Sequence, residues 1–334
     1  MKRSVKSSNW PKDEFGRSEV IWQAWAVWGG VTIIFLSVAF YWVSRPLGTN
    51  GTVVIAYCAQ DQVYAEPIFR DFEKQTGLRV RPVFDSEAVK TVGLANRLLA
   101  EKPHPQCDVF WGNEEMRTRQ LAAKDVFRET NGWAAFGYRS RRVVINTNLV
   151  NAATMPHSLL DLTNAAWHGK VALAYPQFGT TATHFHGLRQ YWGDGLWQMW
   201  CRALAANKPF LVDGNSVVVK LVGTGQAAVG LTDSDDISAG QREGYPIQAL
   251  PMNSETLLIP NTVAVTQDAP HGPAADRLMH YLQRPDVVGR LVQGNALEGL
   301  AVGEVSVPTL NVNWEALLRD LDATTAKLNE IFLR

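Results

Sequence analysis

From residue 52 onward, predicted strands alternate with predicted helices, and this alternation constrains the fold more than any other feature of the chain. Short runs of strand-forming residues are separated by segments whose apolar residues recur at helical spacing. A βαβαβ opening of this kind predicts a parallel, doubly wound α/β sheet, which binds ligands at the carboxyl ends of its strands. The strands are predicted at Thr52–Tyr57, Arg79–Phe84 and Asp108–Trp111, and the helices at Val63–Thr76 and from Ser86 to Glu101.

A second strand–helix set follows, so the chain predicts two similar lobes around a cleft. Two strands, Arg142–Thr147 and Leu257–Val265, join the sets. We assign residues 52–147 and 258–313 to lobe 1, 148–257 to lobe 2 and 314–334 to a C-terminal helix. Further strands are predicted at Val171–Ala174, Phe210–Val212 and Ala227–Leu231, and helices at Thr181–Tyr191, Leu196–Ala206, Ser216–Val222, Ala274–Leu282, Pro285–Val292 and Trp314–Phe332, with a break at Gly193–Gly195.

The N-terminal segment predicts a membrane anchor. Residues 24–43 form a run of twenty without a charge, which as a helix would be about 30 Å long, the thickness of the hydrocarbon core. Five of the six basic residues among the first 45 precede this run. They favour a cytoplasmic tail at 1–21, an anchor at 22–44, a linker at 45–51 and a body in the periplasm or outside the cell. The alternative is a cleaved signal sequence.

Charge and motifs exclude several functions. Lys+Arg and Asp+Glu both total 32, so the chain lacks the basic excess of a nucleic-acid binder. Three cysteines, Cys58, Cys107 and Cys201, are too few for a disulfide scaffold, and we expect them unpaired and mostly buried. The sequence holds no Walker loop, nucleophile elbow or His-Glu-x-x-His motif. We therefore predict no enzyme, and we interpret His184-x-His186 as structural, because residues i and i+2 of a helix point apart.

Polar clusters stand where the predicted strands end, which is where a cleft would lie. Any one cluster could be ordinary helix capping, but their joint placement favours a binding site. Three aspartates between Asp233 and Asp236 would repel one another unless they are solvated, cap a helix or face a cation. The clusters are Gln60-Asp61, Asp85-Ser86-Glu87, Asn113-Glu114-Glu115, Gly179-Thr180-Thr181, Asp213-Gly214-Asn215-Ser216 and Asp233-Ser234-Asp235-Asp236.

From about Val53 to Gly303 the chain resembles the substrate-binding proteins of ABC importers, in the ferric-iron-binding branch of the type 2 periplasmic-binding-protein fold. The resemblance implies two lobes that close by hinge motion on a ligand, a carrier function, and an ABC permease and ATPase as partners. It is carried by Asp85–Lys90, Asp108–Trp111, Arg142–Asn148, Tyr175–Thr181, Gly214–Val217, Val229–Asp233 and Ile259–Thr262. The expected ligand-binding residues are Tyr57, Gln60, Asp61, Ser86, Glu87, Asn113, Glu114, Thr180, Thr181, Asn215, Ser216, Asp233, Asp235 and Asp236.

The iron ligands of this branch are not retained. By position they fall on Asp61, Asn113, Asp235 and Asp236, which supply carboxylates and an amide where the branch has His, Glu and two Tyr. Oxygen ligands of this kind suit hard divalent cations or an ammonium group, and we expect Asp61, Asp235 and Asp236 to be the metal ligands if a metal binds. The elements that bind a synergistic anion look kept at Gly179–Thr181 and Asn215.

Several ligands and roles stay open at this point. A metal ion with a synergistic anion, a small phosphorylated or phosphonate solute, or a zwitterion would each suit carboxylates beside an anion pocket. A tethered ligand sensor that does not transport is the alternative to a carrier, and a metal-assisted hydrolase built on the carboxylates is a third reading. The sequence identifies neither the ligand nor the oligomeric state.

Overall fold

The computed structural model describes residues 53–84, 90–130 and 132–333. The tail, anchor and linker predicted for residues 1–51 lie outside these ranges, as do Ser86 and Glu87. In the described part of the chain, no helix combines the length and the apolar character needed to cross a membrane.

Nine strands and ten helices make up the described part. The strands are β1 Val53–Cys58, β2 Arg79–Phe84, β3 Val109–Gly112, β4 Trp133–Asn146, β5 Val171–Ala174, β6 Phe210–Val212, β7 Val229–Asp233, β8 Ile247–Ala249 and β9 Leu258–Val265. The helices are α1 Gln62–Thr76, α2 Lys90–Glu101, α3 Glu115–Ala122, α4 Gly179–Ala206, α5 Asn215–Gly223, α6 Ser234–Arg242, α7 Gly272–Leu282, α8 Pro285–Gln293, α9 Trp314–Arg319 and α10 Leu321–Phe332.

The strands form a mixed sheet in the order β2-β1-β3-β9-β4-β7-β5-β6, with β8 also paired to β4. Strands β1, β2 and β3 are parallel, and so are β5, β6 and β7. Strands β4 and β9 are antiparallel to their neighbours. Each parallel set therefore follows the predicted βαβ pattern, whereas the joining strands add antiparallel pairs that the alternation does not specify.

Strand β4 connects the two halves of the sheet. Its first part, Trp133 to Ser140, pairs with β9, and its second part, from Arg141 onward, pairs with β7 and β8. The predicted joining strand began only at Arg142. The observed strand begins nine residues earlier because it continues through a register shift at Phe136–Arg139, where Gly137 adopts a φ of 54°.

Each half packs its helices on its own apolar core. In the first half, Phe69 and Phe72 of α1 are buried, and the Phe69 ring meets Trp111 of β3 edge to face with centroids 5.5 Å apart. In the second half, Phe185 and Trp200 of α4 are buried with their ring centroids 5.0 Å apart. These apolar contacts hold the strand ends in place and leave the polar loops to face the cleft.

Several element predictions need correction. The single C-terminal helix predicted at Trp314–Phe332 is two helices, α9 and α10, because the backbone leaves helical geometry at Asp320 (φ −94°, ψ 5°). Helices α3 and α6 were not predicted, because each is short and opens with acidic residues that resemble a polar loop. As expected, Cys58, Cys107 and Cys201 are free and buried.

Candidate functional site

A polar cavity of about 70 Å³ lies at the carboxyl ends of the strands. Residues following β1 and β3 contribute to it from the first half of the sheet, and residues following β5, β6 and β7 from the second. The structure brings nine of the predicted site residues into its wall. They are Gln60, Asp61, Asn113, Thr180, Thr181, Asn215, Asp233, Asp235 and Asp236.

Asp233, the last residue of β7, is held by two arginines of β4. Arg141 Nη1 donates to its Oδ1 at 2.7 Å, and Arg139 Nε donates to its Oδ2 at 3.2 Å. The Thr180 hydroxyl donates to Oδ2 at 2.8 Å. Burial alone would raise the pKa of Asp233, but the charges of Arg141 and Arg139 outweigh it and hold that pKa below its ordinary value. Asp233 is therefore a fixed anion that organises the floor of the cavity.

Arg139 is buried and shared between carboxylates. Its Nη1 donates to Asn261 Oδ1 at 3.3 Å, and its Nε lies 3.5 Å from Asp235 Oδ1. Burial opposes its charge, but the negative charges of Asp235 and Asp233 outweigh burial and raise the pKa of Arg139. The guanidinium therefore stays charged and offsets part of the acidic charge around it.

Asp235 differs from Asp233 although both are buried. Burial raises the pKa of Asp235 to about 7, against the opposing effect of Arg139, and the charge of Asp233 raises it further. Among the described residues, no hydrogen bond reaches its Oδ1. Single carboxylate oxygens of Asp233, Asp235 and Asp236 lie within 4.8 Å of one another, a spacing at which one cation could bind all three.

Three helix N-termini complete the cavity. Helices α4, α5 and α6 begin at its wall, and their N-cap residues, Phe178, Gly214 and Asp233, make no side-chain capping hydrogen bond. Unpaired backbone N–H groups and the positive end of the helix dipole favour an anion at such positions. The cavity thus combines acidic side chains with backbone groups that attract negative charge.

Three predicted site residues lie elsewhere. Tyr57 faces α2, where its hydroxyl donates to Glu101 Oε2 at 2.8 Å, because its position in β1 directs the ring into the core rather than past the strand end. Glu114 caps α3 by accepting from Arg117 N at 3.1 Å, and burial raises its pKa to about 6. Ser216 does not line the cavity. The predictions for Ser86 and Glu87 fall outside the described residues.

Sequence reasoning also missed part of the wall. Arg139 and its neighbour Arg141 lie in the first stretch of β4, which was not recognised as a strand. Their alternation with Ser140 and Arg142 gives no apolar pattern, so only the extended pairing with β9 and β7 reveals them. Tyr175, Phe178 and Asp213 also line the cavity, and the signal for them was available: each follows a strand that had been predicted.

Comparison with known proteins places this geometry among solute-binding proteins. The model of the bacterial extracellular solute-binding protein family matches residues 54–293. A Fe(3+)-binding periplasmic protein of Serratia marcescens is 28% identical over 196 residues, which are 53% of this chain and 56% of that relative. The match thus spans little more than half the length of the relative.

Solved structures share the fold. Iron-bound HitA from Pseudomonas aeruginosa superimposes with a TM-score of 0.73 at 16% identity, covering 84% of this chain and 99% of the other. AfuA from Actinobacillus pleuropneumoniae, solved with fructose-6-phosphate bound, gives a TM-score of 0.71 at 15% identity, covering 84% and 98%. At such identities the likeness establishes the two-lobed periplasmic-binding-protein fold and nothing finer.

Proposed function

The chain belongs to the bacterial extracellular solute-binding proteins, in their iron-binding-like branch, and from this we propose that it is the solute-binding component of an ABC-type importer. It would capture a small solute in the cleft cavity and deliver it to a permease with an associated ATPase. The family supports this carrier function over the sensor and hydrolase alternatives. Tethering of the body by the N-terminal segment is part of the proposal.

We propose a ligand that carries a cationic centre and an anionic group. The supporting observation is the two-sided wall: Asp235 and Asp236 stand beside the uncapped starts of α4 and α5. Carboxylate oxygens favour a metal ion or an ammonium group, and helix N-termini favour phosphate or carboxylate. A metal ion bound with an anion and a zwitterion such as an aminophosphonate both meet these requirements.

Relatives with this fold support both kinds of ligand. The Serratia marcescens relative is named for ferric iron, and the AfuA structure holds a sugar phosphate. For iron, the cavity offers the carboxylates of Asp61, Asp235 and Asp236, and Tyr175 supplies one phenol in the wall. We propose these four as the metal-binding set when the cargo is a metal ion.

Thermal unfolding of the full chain in detergent tests the proposal. A ligand that binds only the folded state stabilises it, by about 2.7 kcal/mol at a hundredfold excess over Kd, so the correct ligand should raise Tm by several degrees. The panel holds Fe³⁺ with citrate, Mn²⁺, 2-aminoethylphosphonate, fructose-6-phosphate and putrescine. Elemental analysis and native mass spectrometry of protein purified from its host separate a metal cargo from an organic one.

The variant Asp235→Ala/Asp236→Ala should lose the shift. Asp286→Ala is the matched control, because Asp286 is an exposed acid of α8 paired with Arg284, and it should keep the shift. A shift that persists in the double variant would remove these aspartates from the site. An absence of any shift over the whole panel, together with no co-purified solute, would contradict the carrier function.

A further inference from the structure

A second cavity, larger than the first, lies in the part of the chain between β4 and β9. It has a volume of about 230 Å³ and is walled by the second stretch of β4, the loop around Met155, the start of α4 and residues 250–256, which lead into β9. Met155, Leu250 and Met252 give it an apolar side. Since a cavity of about 150 Å³ can hold benzene, this one has room for a ring-sized apolar group.

Two buried side chains in its wall keep polar atoms without partners. Arg141 is 1% exposed, and its Nη1 is fully used by Asp233 and Asn215, at 2.7 and 2.9 Å. Among the described residues, its Nε and Nη2 have no hydrogen-bond partner. These two nitrogens form one edge of the guanidinium, the spacing that binds both oxygens of a carboxylate.

His184 supplies an unused acceptor in the same wall. Its Nε2 lies 2.7 Å from the Glu255 carbonyl oxygen. Because that oxygen can only accept, Nε2 carries the proton and Nδ1 is the acceptor. Within the described part of the chain, Nδ1 has no partner although His184 is 2% exposed. Burial lowers the pKa of His184 to about 3, with a further contribution from the charge of Arg141, so the ring is neutral at physiological pH.

Unsatisfied buried polar atoms are rare in folded proteins, and each one calls for an explanation. Here the unused atoms are two donors on one guanidinium edge and one acceptor on a neighbouring imidazole, beside an apolar wall. The matching ligand has a carboxylate for the donors, a hydroxyl to donate to the imidazole, and an apolar body. We propose that this second cavity binds a compact hydroxycarboxylate with an apolar body, at a site separate from the cleft cavity.

The six methionines of the chain provide reporters for this site. The full chain is labelled with ¹³C-methyl methionine in detergent micelles and titrated with mandelate, which carries a carboxylate, a hydroxyl and a ring. The methyl signals of Met155 and Met252 should shift and saturate. Those of Met279, buried in the first half, and Met199, 62% exposed on α4, should not.

Two analogues test the polar contacts. Phenylacetate lacks the hydroxyl and should bind about two- to tenfold more weakly, the effect of one hydrogen bond. Mandelamide lacks the charge and should give no saturable shift over the same range. Equal binding by the amide would overturn the role of Arg141, and equal binding by phenylacetate would overturn that of His184.

Two variants locate the site. Met252→Trp fills the cavity and should abolish the response of Met155, whereas Met199→Trp should leave it intact; an unchanged Met279 signal verifies that each variant is folded. A Met155 response that survives in Met252→Trp would overturn the assignment, as would no saturable response to mandelate in the unaltered chain. The cleft variant Asp235→Ala/Asp236→Ala should retain mandelate binding, so the outcome is independent of the proposed carrier ligand.

Discussion

Asp233 and Asp235 are two residues apart and equally buried, yet their surroundings drive them to opposite protonation states. Asp233 receives hydrogen bonds from both arginines and from Thr180. Asp235 has only the edge of Arg139, 3.5 Å away, and that guanidinium is already bonded to Asp233. Desolvation therefore prevails at Asp235 and not at Asp233. A carboxyl that is held neutral beside fixed anions is one that a bound cation could ionise.

The raised pKa of Asp235 predicts a pH dependence of stability. With a folded-state pKa of about 7, above the unfolded value of about 3.9, the folded chain binds the proton more tightly, so Asp235 stabilises the fold at low pH and this contribution is lost as the pH rises toward 7. Asp235→Asn should remove that loss. Urea unfolding of both proteins between pH 4.5 and 8 measures the difference, and parallel pH profiles would contradict it.

Arg139 should be among the most sensitive residues of the cavity. Arg139→Met would leave Asp233 with one arginine and Asp235 with none, and removing one partner of a buried ion pair costs about 3–5 kcal/mol of unfolding free energy. Arg70→Met is the control, because Arg70 forms an exposed pair within α1 and should change stability by less than about 0.5 kcal/mol. A loss below about 1 kcal/mol at Arg139, measured by urea unfolding, would show that the pair is not essential.

The residues that sequence predicted and those it missed differ in how they reach the cavity. Asp61 and Asp235 follow strands directly, and the rule that ligands bind at the carboxyl ends of strands is enough to place them. Arg139 reaches the cavity from within a strand, so its placement depends on the pairing of β4 with β7 and β9. Tyr57 shows the converse error: it is near a strand end in sequence, but the alternation of side chains along β1 sends it to the other face.

At the scale of elements, the sequence predicted the bend in α4 from its glycines. Gly193 has φ 76° and ψ 161° inside the helix, a conformation that is essentially restricted to glycine. Open space surrounds the position where a Cβ would lie, so Gly193→Ala should be opposed by backbone strain alone, about 1–3 kcal/mol. The expected result is a lower urea midpoint with an unchanged m-value.

Gly195 is the matched control for that substitution. It lies two residues further along, also has open space around its Cβ position, and has no positive φ. Gly195→Ala should be neutral or stabilise by up to about 1 kcal/mol, because it reduces the entropy of the unfolded chain. Equal effects at both positions would mean that the conformation of Gly193 does not determine the bend.

Strand β4 marks the limit of what local pattern can predict about an element. A Cβ on Gly137 would lie 2.4 Å from Leu297 Cδ1, so the strand passes Leu297 only with a glycine and a register shift at this point. A glycine and a run of arginines resemble a loop in sequence. Their strand conformation results from pairing with β9, a contact between residues more than a hundred positions apart.

At the scale of the whole molecule, the two halves of the sheet meet across the cleft at side chains as well as through β4 and β9. Thr183 of α4 donates to Glu114 Oε2 at 3.2 Å, behind the cavity. On another side, Arg242 at the end of α6 donates to the Tyr64 hydroxyl of α1 at 2.8 Å and to the Gly294 carbonyl at 3.1 Å. Because Tyr64 and Gly294 belong to the first half and Arg242 to the second, these bonds favour the arrangement in which the halves approach.

We therefore expect Arg242→Ala to shift the chain toward a more open arrangement. Two hydrogen bonds of an exposed guanidinium contribute about 1 kcal/mol, which changes the ratio of closed to open molecules about fivefold. Spin labels on Arg277→Cys and Met199→Cys, both exposed, report the distance between the halves, and the three native cysteines are buried away from the label. The distance distribution should gain a longer component in Arg242→Ala. Tyr64→Phe removes one of the two bonds and should give a smaller change, whereas Arg284→Ala, whose ion pair lies within α8 and its N-cap, should give none. Superimposable distributions for Arg242→Ala and the unaltered chain would show that β4, β9 and the contacts around Glu114 set the closure by themselves.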